Sequence, residues 1–437
     1  MAGITSLKTA AESALADLFA LAKPLLPGDA ATREDAFRRF SERGLPHRRV
    51  EEWKYTDLRA FLREAAPFAG KPSAADIEAA LATDGPLADL DAIEIVLVNG
   101  HVVRMAEGLP EGLEIVALRD ALSAGHPSLA AMGAVAKAHD NAAYALNAAF
   151  MSDGAVIRVA AGATIERPIH LRFVNAGATP FATATRVLLQ VEVGASVTLV
   201  ETHAGPNGVG YQPNGVVEIV AADHARVVHV RLNAEGAGAI ALSTLTARLG
   251  ANVAFDSYAL LAGPQVSRQQ AYVAFAGEGS NAGIRGSTMI GGTQHADTTL
   301  VVDHAAPGCT SRELFKAVVD GEATGVFQGK IVVHQIAQKT DGRMMSACVL
   351  LGDEATMNNK PELEIFADDV QCAHGATCGQ LDEDLLFYLR SRGLPLKEAE
   401  ALLLESFLAE PIGEGVADET VAAALTGVID GWLRARG

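Results

Sequence analysis

Cys372 and His374 are the residues of this chain best placed to do chemistry. They lie in the run Lys360-Pro361-Glu362-Leu363-Glu364-Ile365-Phe366-Ala367-Asp368-Asp369-Val370-Gln371-Cys372-Ala373-His374-Gly375-Ala376-Thr377. On an extended strand, residues i and i+2 share a face, so a thiol and an imidazole two positions apart address the same space. Sulfur and imidazole nitrogen are the ligand atoms favoured by zinc and by iron–sulfur chemistry. One Cys and one His do not complete a tetrahedral site. Two readings therefore stand: a buried Cys beside a hydrogen-bonded His, or part of a site completed from elsewhere in the chain or from a second chain.

Other chemistry is thinly represented. Cys309, Cys348 and Cys378 form no C-x-x-C pair and no zinc-finger spacing with Cys372. Cys309 falls in a turn-like Pro-Gly segment, Cys348 in an apolar run, and Cys378 reads as a small buried hydrophobe. His203, His229, His304 and His334 are scattered. No G-x-x-x-x-G-K-[ST], G-x-S-x-G or H-E-x-x-H occurs, so P-loop ATP hydrolysis and two common hydrolase chemistries are not indicated. Asp368-Asp369 is the one adjacent carboxylate pair near the Cys/His motif, and it raises the alternative of a carbohydrate-active β-helix enzyme, lyase or hydrolase. Against that stands an aromatic content of 5%, low for stacking on sugars.

A formal net charge of −18 argues against nucleic acid and against anionic membrane surfaces as partners. No run approaches the ~20 apolar residues of a membrane span. The first 23 residues carry Lys8, Glu12 and Asp17 at helical spacing and do not resemble a secretion signal. Four cysteines in 437 residues fit free thiols in a reducing cytoplasm.

The elements that must position Cys372 and His374 follow from periodicity. Residues 1–150 read as a mostly helical amino-terminal unit. Ile4, Leu7, Ala11, Leu15, Leu18 and Leu21 follow a helical period, and a second helix capped by Thr32 ends at Gly44. Within it, Asn99-Gly100 between two valine-rich runs is a hairpin signal. Residues 151–378 change character: short valine-rich runs recur between Gly, Asp and Asn. Gly162-Ala163, Gly194-Ala195 and Gly250-Ala251 mark repeated turns about 30 residues or a multiple apart. That period fits a β-solenoid, in which each coil stacks on the next. Residues 379–437 return to helix. Asp382 is a candidate N-cap with Leu385, Leu386 and Leu389 facing inward. Leu396, Ala399, Leu403 and Phe407 form a second face, and Val421, Leu425, Val428 and Trp432 a third. The simplest job for these helices is to cap the open end of the solenoid.

Several ordered segments carry a family resemblance. Leu314-Phe315-Lys316-Ala317-Val318-Val319, Phe327-Gln328-Gly329-Lys330-Ile331, Ala337-Gln338-Lys339-Thr340-Asp341 and the Lys360–Thr377 run resemble the SufB/SufD family of iron–sulfur cluster assembly scaffolds. Glu51-Glu52-Trp53-Lys54-Tyr55-Thr56-Asp57-Leu58 and Phe387-Tyr388-Leu389-Arg390-Ser391-Arg392-Gly393 extend the likeness over most of the chain. The Trp-Lys-Tyr-Thr segment and His374-Gly375-Ala376-Thr377 look like the SufD branch.

The resemblance implies a right-handed parallel β-helix and a scaffold without catalytic activity of its own. It implies a SufB paralog paired through the last strands and a SufC ABC-type ATPase docked on the 379–437 helices. His374 would help hold a nascent iron–sulfur cluster or iron shared with SufB, with Cys372 as ligand, sulfur relay or packing residue. A reduced flavin is associated with such complexes, but no segment here places one. A homodimer of the isolated chain through the same strand edge is a further expectation.

Overall fold

The computed structural model describes residues 8–82 and 85–436. Strands dominate from Asp153 to Gly379, and they alternate between two sheets. The first sheet collects Asp153–Val159, Ala182–Val191, Gln212–Ala221, Ile240–Leu249, Val266–Phe275, His295–His304, Thr324–Val333 and Thr356–Ile365. The second collects Ile169–Val174, Ser196–Ala204, Arg226–Ala234, Ala254–Leu261, Asn281–Ile290, Thr310–Val319, Asp341–Leu350 and Gln371–Gly379. Every neighbour pair in these two sets is parallel and in register. The molecule is the β-solenoid that the repeating turns predict, with the parallel pairing that the resemblance implies.

The corners explain the irregular period. Left-handed backbone recurs at Gly162, Gly194, His224, Asn252, Gly279, Gly308 and Lys339. Gly, Asn and His tolerate that conformation, so the turn signal persists although only some positions are glycine. The long gap between Gly194 and Asn252 holds one intervening corner, at His224.

Parallel in-register pairing aligns side chains into columns. One inward column of the second sheet runs Leu199, His229, Ser257, Ile284, Glu313, Met344, His374. Leu199, Ile284 and Met344 belong to the continuous apolar core between the sheets. Each buried Val, Leu or Ile there contributes roughly 1.5–3 kcal/mol relative to exposure.

The beginning of the solenoid is closed. Ile93–Val98 lies parallel beside Ile169–Val174, and His101–Met105 folds back antiparallel on it. Asn99 and Gly100 both have positive φ, the conformation of the tight hairpin turn expected from the sequence. Leu113–Ala117 runs antiparallel to Asp153–Val159 and ends the other sheet.

The helices lie along the two outer faces. Ala10–Ala22, Ala30–Arg43 and Ala142–Phe150 share an apolar cluster with Ala184 and Leu242 of the first sheet. The first helix opens on a Thr9–Glu12 capping box, and the second is capped by Asp29, not Thr32. Ile4 and Leu7 lie outside the described residues, and Leu21 is exposed where an inward position was expected.

Beyond them the Glu51–Leu58 segment is fastened to the same sheet. Trp53 is buried under the Arg268 guanidinium, 3.8 Å from its ring. Arg268 pairs with Asp297, both wholly buried. Thr56 Oγ1 bonds Asp297 and lies 2.9 Å from His295 Nε2.

The carboxyl-terminal helices correct two expectations. Leu396–Gly415 and Glu419–Ala435 do not close the solenoid end. Leu404, Leu408, Ile412, Val421, Leu425 and Ile429 pack on outward residues of the second sheet, among them Tyr258, Met289 and Val318. The buried stripe of the longer helix is therefore Ala399, Leu404, Leu408 and Ile412, one residue on from Leu403 and Phe407, while Leu396 is exposed. Glu383–Ser391 has the expected Asp382 N-cap but buries none of its residues, and Leu385 is 52% exposed. Among the described residues, no helix is long and apolar enough to cross a membrane.

Candidate functional site at the open end

Gln371–Gly379 is the last strand of its sheet and pairs only with Asp341–Leu350. Thr356–Ile365 ends the other sheet in the same way. Among the described residues no further coil covers them, and most of the last strand is exposed. The Gln371 N–H donates inward along the sheet to Thr340 O at 2.8 Å. Successive residues of a strand direct their N–H and C=O to opposite neighbours. The backbone groups of Cys372, His374, Ala376 and Cys378 therefore face the open side.

The side chains of the same four residues lie on the inner face. Cys372 stands beside Gly342, His374 beside Met344, Ala376 beside Ser346 and Cys378 beside Cys348. Met344, Ser346 and Cys348 are buried, Met344 within the solenoid core. In-register neighbours in a sheet point the same way. Cys372 and His374 thus share a face, as their spacing predicts, and that face is the mouth of the solenoid. Cys372 is half-buried against the core, and His374 is exposed. Burial holds the Cys372 thiol above its ordinary pKa, and the Asp341 and Glu313 carboxyls add to this while a backbone contact to Gly342 opposes it.

Beneath the mouth lies a polar group that sequence reasoning did not single out. Glu313 occupies the inward column one step below Met344 and is 3% exposed. Neither of its carboxylate oxygens has a hydrogen-bond partner of ordinary geometry among the described residues. Burial pushes this carboxyl up to about 8, with Ser311 and Arg312 acting weakly the other way. Ser311 Oγ lies 3.0 Å from His304 Nε2, and the His304 ring stacks on Phe275. Burial lowers His304 to about 4, so its ring is neutral near pH 7. The signal was available: Ser311 and Glu313 have the parity of Phe315, Ala317 and Val319, which face inward.

The other expected sites resolve simply. Cys309 is buried, its thiol donating to Gly277 O at 3.3 Å. Cys348 is core, as expected, whereas Cys378 is exposed rather than buried. His203 and His229 both contact Glu201, a carboxylate also reached by Arg231. His334 Nε2 bonds Asp303 at 2.7 Å on the surface. Asp368 and Asp369 sit in a turn, where Asp368 accepts from Gln338 and Asp369 pairs with Lys339. Among the described residues, no three His, Cys, Asp or Glu side chains converge on a metal-sized site. Cys372 and His374 do not by themselves complete such a site.

A cleft of about 330 Å³ runs beside His374, lined by Arg312, Arg343, Met345, Glu410 and Glu414. Glu410 and Glu414 bring the long carboxyl-terminal helix to its wall. Leu385, Phe387, Tyr388 and Leu402 on the carboxyl-terminal helices are exposed apolar side chains.

Comparison with known proteins gives a consistent pattern. Residues 173–407 match the family model described as the SUF system FeS cluster assembly, SufBD core domain. Residues 14–171 match the SufBD protein N-terminal region. An iron–sulfur cluster assembly SufBD family protein of Synechocystis is 31% identical over 398 residues, covering 88% of this chain and 85% of that protein. The iron–sulfur cluster assembly protein SufD of Escherichia coli is 30% identical, with 86% of each chain covered. SufD of Bacillus subtilis is 28% identical over 65% of each.

Proposed function

The chain belongs to the SufB/SufD family of the SUF iron–sulfur cluster assembly system, and from that premise we propose that it is the SufD-type scaffold subunit of a cytoplasmic assembly complex. Its partner is a SufB paralog, which adds its own edge strand to the uncovered last coil. The shared site then holds iron or a nascent iron–sulfur cluster as cargo. His374 supplies an imidazole ligand or an entry point for iron, and Cys372 a second ligand or a sulfur relay. The remaining ligands come from the partner chain.

The observation that carries this reading is the open edge itself. Two ligand-type side chains point into a mouth that no described strand covers, and among the described residues they belong to no group of three that could hold a metal ion. A divided ligand set suits a scaffold, because separating the chains dismantles the site. Imidazole is also a weaker and more proton-sensitive ligand than thiolate, which favours release.

The carboxyl-terminal helices dock the SufC ATPase. Supporting this are the exposed apolar side chains of Leu385, Phe387 and Tyr388, on a helix that buries none of its residues, and of Leu402 on the sheet-packed helix that follows. ATP hydrolysis belongs to SufC, and the present chain catalyses nothing by itself. In isolation the same edge pairs two copies of this chain. A reduced flavin in the complex has no assigned place here.

The test is cluster yield. The chain is co-expressed with SufB and SufC, the complex is purified without oxygen, and iron and acid-labile sulfide are compared in wild type and His374→Ala. The expected result is an intact complex with little cluster. Unchanged cluster in the variant would move the site to the partner chain and leave this subunit a structural support.

A further inference from the structure

Cys348 and Cys378 face each other across the last two strands of the second sheet. They are register partners on parallel neighbours, so both side chains lie on the inner face. Cys348 is 3% exposed among Ala317, Val319 and Ala323, and Cys378 is open to solvent. Burial and, after it, the neighbouring Cys378 thiol hold Cys348 far above the ordinary thiol range. Neighbouring strands run roughly 4.8 Å apart, inside the ~4.4–6.8 Å between Cα atoms that a disulfide spans. The Cβ atoms must approach by about 1 Å or less, and the terminal strand, hydrogen-bonded on one side only, is free to move that far.

No other pair in the chain meets these conditions. Cys372 and Cys378 are six positions apart on one strand, about 20 Å. Cys309 is enclosed in the core and engaged with a carbonyl.

We propose that Cys348 and Cys378 form a redox-active dithiol that closes to a disulfide by exchange with a low-molecular-weight disulfide. Cys378 reacts first because it alone of the two is accessible. Its thiolate attacks one sulfur of the small disulfide, forms a mixed disulfide and releases one small thiol. Cys348 then gives up its proton and attacks Cys378 Sγ, which breaks the mixed bond and releases the second small thiol. Two protein thiols are oxidised and one small disulfide is reduced to two thiols, with no other reactant needed. The product staples the end of the terminal strand to the coil beneath it. The inference does not rest on the scaffold reading.

The experiment uses the purified full chain, free of partners, in buffers poised with oxidised and reduced glutathione. Free thiols are alkylated under denaturing conditions, and peptides are mapped by mass spectrometry without reduction. The expected product is one cross-linked species joining the Cys348 and Cys378 peptides, reversed by excess reduced glutathione. Cys348→Ser and Cys348→Ala should lose that species and retain glutathione on Cys378 instead. Cys378→Ser should leave Cys348 unmodified while the protein is folded. A Cys372→Ser variant should behave as wild type. The proposal is overturned if wild-type Cys378 stops at the glutathione adduct, if it links to Cys372, or if it joins a second copy of the chain in a covalent dimer on non-reducing gels.

Discussion

At the Asp153 end of the solenoid both sheets stop against antiparallel strands; at the Gln371 end no strand among the described residues follows them. The contrast extends to buried carboxyls. Asp153 is enclosed near the first coil, and its oxygens accept from the backbone N–H of Val102, Arg119 and Gly154 at 3.0, 3.1 and 2.9 Å. Glu313 is as deeply enclosed near the last coils and accepts nothing of ordinary geometry among the described residues. One end spends its polar groups on closing the fold. The other leaves strand edges, a carboxyl and two ligand-type side chains uncommitted, although exposed sheet edges invite association.

The largest expected effect sharpens the carboxyl contrast. Glu313 binds a proton in the folded chain up to about pH 8, while the unfolded chain releases it near pH 4.5. Between those values the unfolded state binds fewer protons, so stability falls as pH rises and the loss is complete above about 8. Glu313→Gln should remove that slope, gaining up to about 4–5 kcal/mol at pH 9 and almost nothing at pH 4. Chemical denaturation at both values measures it; equal gains would mean that Glu313 does not titrate as described. Asp153→Ala should act in the opposite sense, costing about 3 kcal/mol at neutral pH by orphaning three backbone donors. Its melting temperature is the readout.

Core truncation compares the ends directly. Ile95→Ala, wholly buried in the first coil, should cost about 3 kcal/mol, and Leu363→Ala in the last coil about 1. Equal losses in denaturant titrations would show that the last coil is not looser than the first. The smallest effect on stability is the most selective. Ala376→Pro deletes an N–H that points to the open side, so folding should change by less than about 1 kcal/mol. Association through that edge should fall by at least tenfold in analytical ultracentrifugation. If the variant pairs as well as wild type, the edge is not the interface.

Much of this was legible before any coordinates. Strict alternation on a strand puts Cys372 and His374 on one face, and short runs between recurrent turns imply stacked coils. What sequence could not give was the surface each helix covers. Leu403 and Phe407 mark an apolar stripe, but packing on the second sheet turns the helix so that Leu404 and Leu408 are deepest. A helix displays its own period and not its neighbour's position, which is why an expected end cap proved to be a side wall. Glu313 escaped for a related reason: a charged residue in a strand reads as outward unless the parity of its neighbours is followed. Residue type makes Cys378 a buried hydrophobe, but its strand is the last of its sheet among the described residues, which leaves it exposed.

The fastening of the Glu51–Leu58 segment carries a consequence for the order of events during synthesis. Arg268 reaches Glu52 across 216 positions, Thr56 reaches Asp297 across 241, and Lys360 reaches Glu51 across 309. At ~5–20 residues per second, the Thr56 contact must wait about 12–50 s for its partner to be made. The last of these contacts needs a residue from the final coil. Trp53 therefore stays without its Arg268 lid while coil after coil is laid down, available to chaperones or to proteolysis. Its covering by Arg268 reports that the solenoid has been built at least to its fifth coil.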